Sequence, residues 1–410
     1  MDNLTFIQEK FAEFYREKSS IIQVPRLLEQ REFGFLLFKE NIMLRHKGFK
    51  TAEELKSFIM QIVPAHAYYS TAYYQAPEEK MEDKGWLGAD IYFDIDADHI
   101  PTRCGKIHDR WRCRSCGLIG RGVTPPQCPI CDGKSFDGKT WLCELCLESA
   151  KSEAMKLIDI LREEFGCSSK DLEVSFSGHR GYHVHVENES AKELDSSARK
   201  ELVDYIMGVG IDASFHGLIV SGSKRLRIIS GPSVNDGGWR GRITKGLLNI
   251  LASASEEELK EFGLSKKIIT DILQARKGSM LLREGVEPWS LLRGISRKAL
   301  DTLIKHAVEG EAAKIDTVVT TDIHRLIRMP NTLHGGTGLM KVSFPADMIE
   351  EFDPLKESVA FERGEVRVHV REAPKFRIGD EEFGPYSNVE VELPTAAALL
   401  ILCKDAGSVA

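Results

Sequence analysis

The chain has 410 residues, 55 basic and 62 acidic side chains for a formal charge of -7, and 42% hydrophobic residues. That length predicts two or three domains around a substantial core and excludes disordered, collagen-like and mini-protein classes. No run reaches the ~18 apolar residues of a membrane span, and the acidic, amphipathic start MDNLTFIQEKFAEFYREK lacks the parts of a signal peptide, so the sequence predicts a cytoplasmic protein without a membrane contact.

In chain order, residues 5–16 and 51–63 carry apolar residues at helical spacing, the second opened by a capping box, Thr51 to Glu54. Between them REFGFLLF (31–38) reads as a strand. DIYFDID (90–96) alternates, setting Tyr92, Asp94 and Asp96 on one face and Ile91, Phe93 and Ile95 on the other. Residues 148–165 form a helical stripe ended by Gly166, and LEVSFS (172–177) and YHVHV (182–186) are strands flanking the turn Gly178-His179-Arg180-Gly181. Residues 224–245 gather Lys224, Arg225, Arg227, Arg240, Arg242 and Lys245 against the single acid Asp236. This is the clearest basic stretch, with a glycine-rich loop in its middle. Residues 246–312 turn rich in Glu, Lys and Leu, with a capping box at Ser255 to Glu258, and read as a helical subdomain. Strand-like text returns at 315–319, 339–343, 366–370 and 388–393 before a short apolar helix, TAAALLILCK. Strands mixed with helices predict an α+β layer fold.

Seven of the nine cysteines lie between Cys104 and Cys146. Paired C-x2-C spacing in a chain without a secretory signal reads as metal ligation before disulfides. Cys113, Cys116, Cys128 and Cys131 make a zinc-ribbon pattern, enclosed by a second set, Cys104, His108, Cys143 and Cys146. Swapped pairing between the two sets remains open at this level. Both closed sites would be structural, and bound zinc would bring the net charge to roughly -10. Nucleic acid must then be met by local basic patches, for which 224–245 is the candidate. Cys167 and Cys403 stand alone in apolar text and read as buried hydrophobes.

Two residues apart on a strand, Asp94 and Asp96 project the same way, about 6 to 7 Å apart at the backbone, close enough to share one or two divalent ions. Hard oxygen ligands suit magnesium or manganese, and paired ions serve nucleotidyl transfer. An EF-hand starting at Asp94 fails, with His99 where Gly is required and Gly105 where Glu is. Solvated acids ending a strand are the bland alternative. Asp316, in the strand-like context KIDTVV ahead of the basic string His324 to Arg328, weighs against it. No Walker loop occurs, so side chains must hold any phosphates. Ser177, His179, Arg180 and His183 supply a hydroxyl, two imidazoles and a guanidinium at one glycine-flanked reversal, a donor set suited to a triphosphate. His185 reads as structural, Asp90 and Asp98 as solvated or supporting acids, and Asp322 as a surface acid.

REFGF (31–35), YYSTAYY (68–74), KGWLGADIYFDIDADH (84–99), FSGHRGYHVHV (176–186) and DIHRLIRMPNTLHGGTGL (322–339) together resemble the small catalytic subunit of archaeal and eukaryotic DNA primases, most closely the archaeal branch. The resemblance implies a mixed-sheet catalytic core in three parts (1–103, 147–245 and 313–410) interrupted by a zinc module (104–146, with a ribbon inserted at 109–140) and the helical subdomain (246–312). It implies Asp94, Asp96 and Asp316 as metal-binding acids, Ser177, His179, Arg180 and His183 as the triphosphate pocket, and Arg31, Arg328 and His334 as further nucleotide contacts. It also implies primer synthesis from nucleoside triphosphates on single-stranded DNA, beside a large subunit containing an iron-sulfur cluster. The segment from Cys113 to Cys131 departs from the simplest archaeal pattern as an insertion. A gap-filling polymerase of the same superfamily would share these acids, and a non-enzymatic zinc-ribbon module would account for the cysteines alone.

Overall fold

The computed structural model describes residues 2–39, 42–223, 226–277 and 288–410. The chain divides into two compact units, the first comprising Met1–Met155, Ser168–Lys200 and Lys314–Ala410 and the second Lys156–Cys167 and Glu201–Ala313. Among the described residues no helix is long and apolar enough to cross a membrane.

The first unit is mixed α and β, built on two four-stranded antiparallel sheets. One runs in the order Leu326–Arg328, His66–Ser70, Phe33–Leu36, Met43–Lys47. Its apolar side is closed by Phe33, Phe35, Phe49 and Phe58, whose rings lie 5.2 to 5.4 Å apart in a chain of edge and tilted contacts. The helices Asn3–Glu17 and Ala52–Ile62 are capped by Asp2 and Thr51, which accept from the amides of Thr5 and Glu54. Only half of the expected capping box at Thr51 forms, because the Glu54 carboxylate takes the Lys50 amide.

The second sheet runs Val342–Pro345, Leu172–Phe176, Gly181–Val186, Ile91–Asp96. Ile91, Phe93 and Ile95 are buried on one face, as alternation predicts. The segment 315–319 is not a strand. Its β-branched residues lie in a one-turn helix, Thr317–Thr321, because the Asp316 carboxylate caps the Val318 amide at 2.9 Å. The C-terminal portion pairs Glu365–Ala373 between Tyr386–Pro394 and Gly407–Val409, against the buried apolar helix Thr395–Cys403.

Two residues of the first unit bridge its sheets. Arg31 is 1% exposed; its guanidinium donates to the carbonyls of Ser70 and Thr71 at 2.8 and 2.7 Å and pairs with Asp90 at 2.6 Å. It also lies 3.7 Å from the Tyr73 ring centre. Its remaining donor, Nε, reaches the Arg26 carbonyl at 3.3 Å. Arg31, expected as a nucleotide contact, thus has a structural role in the fold, with all three of its nitrogens engaged. Asp90 is a buried hub rather than a solvated acid. Burial pushes its carboxyl up, but His185 at 3.2 Å and Arg31 outweigh burial and hold it far below the usual carboxylate range.

In the second unit, the helices Gly238–Ser253, Glu256–Glu261, Lys266–Lys277 and Arg297–Glu311 enclose Trp239 and Trp289, beside a hairpin of Ile219–Ser223 and Leu226–Ser230. Gly246 lets two helices meet closely, since a Cβ there would sit 2.5 Å from the Ala307 carbonyl oxygen. The segment 246–312 lies inside this larger unit, and the Ser255 capping box forms in full. The described part of the basic stretch covers the strand Leu226–Ser230 and the start of the helix Gly238–Ser253. Lys224 and Arg225 lie outside the described residues, as does the side chain of Arg227. Arg242 is buried between Glu163 and Glu164, so it is an internal strut and not a free template contact. Arg240 pairs with Asp236 at 3.0 Å, while Lys245 stays half-open, 3.9 Å from Glu311.

Removing Arg31 leaves Asp90 charged and buried without its main partner. Arg31→Met should therefore destabilise the chain by about 3 to 5 kcal/mol in urea unfolding near pH 7. Because Asp90 is held low in the fold, this stabilisation is present above the ordinary carboxylate range and is lost as the pH falls below it, so the mutant and wild type should converge in acid.

Candidate active site and metal centres

Strand register builds the acidic half of the site. Gly181 pairs with Asp96, His183 with Asp94 and His185 with Tyr92. His183 therefore faces Asp94 directly, Nε2 to Oδ1 at 3.3 Å. Asp316 joins from the short helix, its amide donating to the Asp94 carbonyl at 2.8 Å, while Thr320 bonds the Tyr92 carbonyl at 3.0 Å. Burial raises Asp94, but the charge and hydrogen bond of His183 outweigh it and hold Asp94 low; burial and then the Asp94 charge push Asp96 up. Asp96 thus lacks sufficient positive compensation, which is the condition a hard divalent cation relieves. Among the described residues, the three aspartates do not converge as tightly as the cysteine groups below, whose ligand atoms all lie within 4.8 Å of one another.

The cationic half centres on the turn between the strands. The Ser177 hydroxyl oxygen accepts from the amides of His179 and Gly181 at 3.2 and 3.1 Å, shaping the reversal. Gly178 has φ +82°, and a Cβ there would meet the His334 Cβ at 2.9 Å, so glycine is required twice over. His179 and His334 stack at 5.3 Å, and His66 meets His334 edge-on at 4.7 Å. His334 itself sits at the neck of the GGTG turn, accepting from the Gly338 amide at 2.8 Å. Arg328 bonds His66 and lies 5.5 Å from the Tyr68 ring centre. Lys404, at the end of the apolar C-terminal helix, reaches His179 Nε2 at 2.6 Å.

This cluster is short of negative charge. Among the described residues, no carboxylate oxygen lies within the 4.0 Å ion-pair distance of Arg328, Lys341 or Lys404, and Arg328 Nε is buried without a partner. Burial, and then neighbouring cations, push His66, His179 and His334 well below their ordinary range. Burial likewise pulls Lys341 down to about 7, and burial with Arg180 pulls Lys404 down to about 8. Lys341 donates to Tyr92 Oη at 3.0 Å and the Arg328 carbonyl at 2.7 Å, joining the two halves. An anion with several oxygens would satisfy all these donors together.

The structure therefore brings together Asp94, Asp96, Asp316, His183, His179, His334, Arg328 and Ser177, all within the first unit. Arg180 differs from the expectation of a free donor: it is wholly buried and bound to Asp109 and Asp98. Sequence reading passed over His66, Lys341, Lys404 and Asp109. Lys341 and Lys404 could have been noticed as lone cations in apolar text, LMKVSF and ALLILCK.

Both cysteine groups converge in the nested pairing. In the outer group, Cys104 Sγ lies 3.4 Å from His108 Nε2 and 3.5 Å from Cys146 Sγ; in the inner group, Cys113 to Cys131 and Cys116 to Cys128 are each 3.6 Å. These distances are far longer than a disulfide at about 2.05 Å and near the roughly 3.8 Å edge of a tetrahedron with about 2.3 Å zinc–sulfur bonds. The donor sets fit zinc. The inner group sits on a small sheet with Arg110–Cys113 between Ile119–Arg121 and Phe136–Lys139.

Comparison with known proteins places the chain in a family. Residues 131–346 match the DNA primase small subunit family. The chain is 33% identical to the DNA primase small subunit PriS of Methanococcoides burtonii over 419 residues, covering 98% of this chain and 97% of the relative. It is 33% identical to that of Cenarchaeum symbiosum, covering 100% and 99%, and 32% identical to that of Archaeoglobus fulgidus, covering 97% and 96%.

Each cysteine group should bind one ion independently. Cys143→Ser and Cys128→Ser should each lower zinc content by one ion per chain, the former with the larger fall in Tm because its group ties down the chain beside the sheet. Metal analysis showing wild-type zinc in either variant would contradict the assignment of that group.

Proposed function

This chain belongs to the DNA primase small subunit family, nucleotidyltransferases of DNA replication, and we propose that it is the primase catalytic subunit, making short RNA or DNA primers on single-stranded DNA from nucleoside triphosphates. The observation that carries this reading is a buried cationic cluster with no carboxylate in ion-pair reach among the described residues, joined through Lys341 to the strand that carries Asp94 and the under-compensated Asp96. One half suits a triphosphate, the other its metal ions.

Asp94, Asp96 and Asp316 would hold two magnesium or manganese ions, which when bound activate a 3'-hydroxyl and stabilise the α-phosphate and leaving pyrophosphate. His183 orients Asp94 through its 3.3 Å contact and keeps that carboxylate ionised. Asp96, whose proton affinity is raised by burial and by the Asp94 charge, is the acid whose ionised form a bound cation would favour most. His179, His334, Arg328 and Ser177 line the triphosphate side, with Lys404 and Lys341 supplying charge from beneath and Arg180 stiffening the turn. Zinc in the two cysteine groups would be structural. The small-subunit family implies a large-subunit partner and DNA and nucleotide substrates; an iron-sulfur cluster in that partner and a cytoplasmic location belong to the proposal.

Incubation with unprimed single-stranded DNA, labelled nucleoside triphosphates and magnesium or manganese, beside a pre-annealed primer, tests the reading. Asp96→Asn should abolish incorporation with its fold intact. Extension of the annealed primer alone would move initiation to the partner subunit or favour a gap-filling polymerase, and wild-type-like activity in Asp96→Asn would remove the metal role.

Lys404 and Lys341 lie near neutrality only while the pocket lacks an anion. A triphosphate raises both, so binding should draw protons from solution near pH 8, seen as a calorimetric enthalpy that depends on the buffer's ionisation heat. Affinity should fall above pH 8 by up to about tenfold per pH unit for each lysine that takes up a proton, and so by up to about a hundredfold if both do. Lys404→Met should reduce the proton uptake; a buffer-independent enthalpy in the wild type would count against this charge assignment.

A further inference from the structure

We propose that Asp109 is a positioning residue that couples the outer cysteine–histidine metal site to the triphosphate-binding turn. The inference rests on the primase reading of that turn. Asp109 is 6% exposed and holds three groups at once. Its Oδ1 meets His108 Nδ1 at 2.7 Å and accepts the Trp141 amide at 2.9 Å, and both its oxygens accept from Arg180 Nη1, at 2.9 and 2.8 Å. The first contact makes Nδ1 the proton-bearing nitrogen and leaves Nε2 for the metal. The last fixes the guanidinium of a residue in the middle of the turn.

Arg180 has direct leverage on the reacting groups. Its carbonyl accepts the Ala97 amide at 3.1 Å, and its neighbour Gly181 pairs with Asp96. Its side chain also meets Asp98 and the Trp141 carbonyl. A second tether comes from the residue before Trp141: Thr140 Oγ1 lies 3.3 Å from His179 Nε2. The segment returning from the metal module thus touches both side chains at the tip of the turn, and Asp109 is the group shared by metal ligand, returning segment and turn. A carboxylate bonded to a ligating histidine is a common support. Here the same carboxylate also neutralises a buried arginine, so a change at the metal is transmitted to the phosphate side through one rigid contact.

The test uses the full zinc-loaded chain on an annealed primer–template, comparing Asp109→Asn and Asp109→Glu with wild type. Asparagine keeps the shape and loses the charge. Zinc content should stay at the wild-type level, KM for nucleoside triphosphate should rise roughly 10- to 100-fold with a smaller change in kcat, and Asp109→Glu should recover part of the loss. With cobalt in place of zinc, nucleotide addition should shift the thiolate-to-cobalt absorption of wild type and leave that of Asp109→Asn unchanged. Unaltered KM with full zinc would overturn the coupling. Loss of one zinc with KM unchanged would also overturn it, reducing Asp109 to a support for the ion. A wild-type chain that neither binds nor incorporates nucleotide would sink the primase reading itself, and this proposal with it; that outcome is separable because it precedes any effect of the variants.

Discussion

The site depends on one register. Because side chains alternate across a strand, only the pairing that sets Gly181 against Asp96 and His183 against Asp94 puts imidazole and carboxylate on the same face. A slip by one residue would turn the aspartates into the core and Phe93 and Ile95 out of it. The pairing is held from both sides. Ile91, Phe93 and Ile95 demand burial, and Gly181 permits an approach in which a Cβ would lie 2.5 Å from the Ile95 carbonyl oxygen. The tight turn at Gly178 then delivers His179 to His334 without a separate element to position it.

Charge in this unit is sorted by where carboxylates are placed. Asp109 and Asp98 hold Arg180, so the arginine that acts on Asp96 is largely neutralised before it can compensate that acid. Arg31 is likewise matched by Asp90. Arg328, Lys341 and Lys404, in and beside the cluster of stacked histidines, have no carboxylate in ion-pair reach among the described residues. Burial weakens the protonation of Lys341 and Lys404, as it must when like charges share a low-dielectric site. A metal-bound triphosphate, the ligand proposed for this site, would carry charge complementary to the cationic cluster and to Asp96. Such a ligand would gain by relieving two unfavourable desolvations at once.

What could be read from the sequence was local. DIYFDID announces its two faces by alternation, the cysteine spacing announces two four-ligand sets whose nested pairing the structure then shows, and the glycine-flanked turn announces a concentration of donors. What could not be read depended on partners far along the chain. Asp316 lies in text rich in β-branched residues, and only its capping of Val318 and its amide bond to Asp94 make it the head of a helix. Arg31 and Arg242 look like free cations until Asp90, Glu163 and Glu164 are found beside them. Lys404 is 225 residues from His179 and is placed there only by the buried C-terminal helix.

The metal module is inserted at the point where the fold needs a staple. The chain leaves the aspartate strand after Asp96 and must return to the sheet through Leu172–Phe176 and Gly181–Val186. Cys104 and Cys146, 42 positions apart, meet at 3.5 Å, so an ion in the outer group would close this excursion near its base. Closing a loop of that length otherwise carries an entropic cost of roughly 3 kcal/mol from its length dependence alone. The inner ribbon lies beyond the staple. It is fastened to the C-terminal portion by surface pairs, Arg110 and Arg121 with Glu372 and Lys139 with Asp405, which contribute little individually. Variation in the ribbon can therefore be absorbed outside the staple, whereas variation at Cys104, His108 or Asp109 acts on the turn that faces the aspartates.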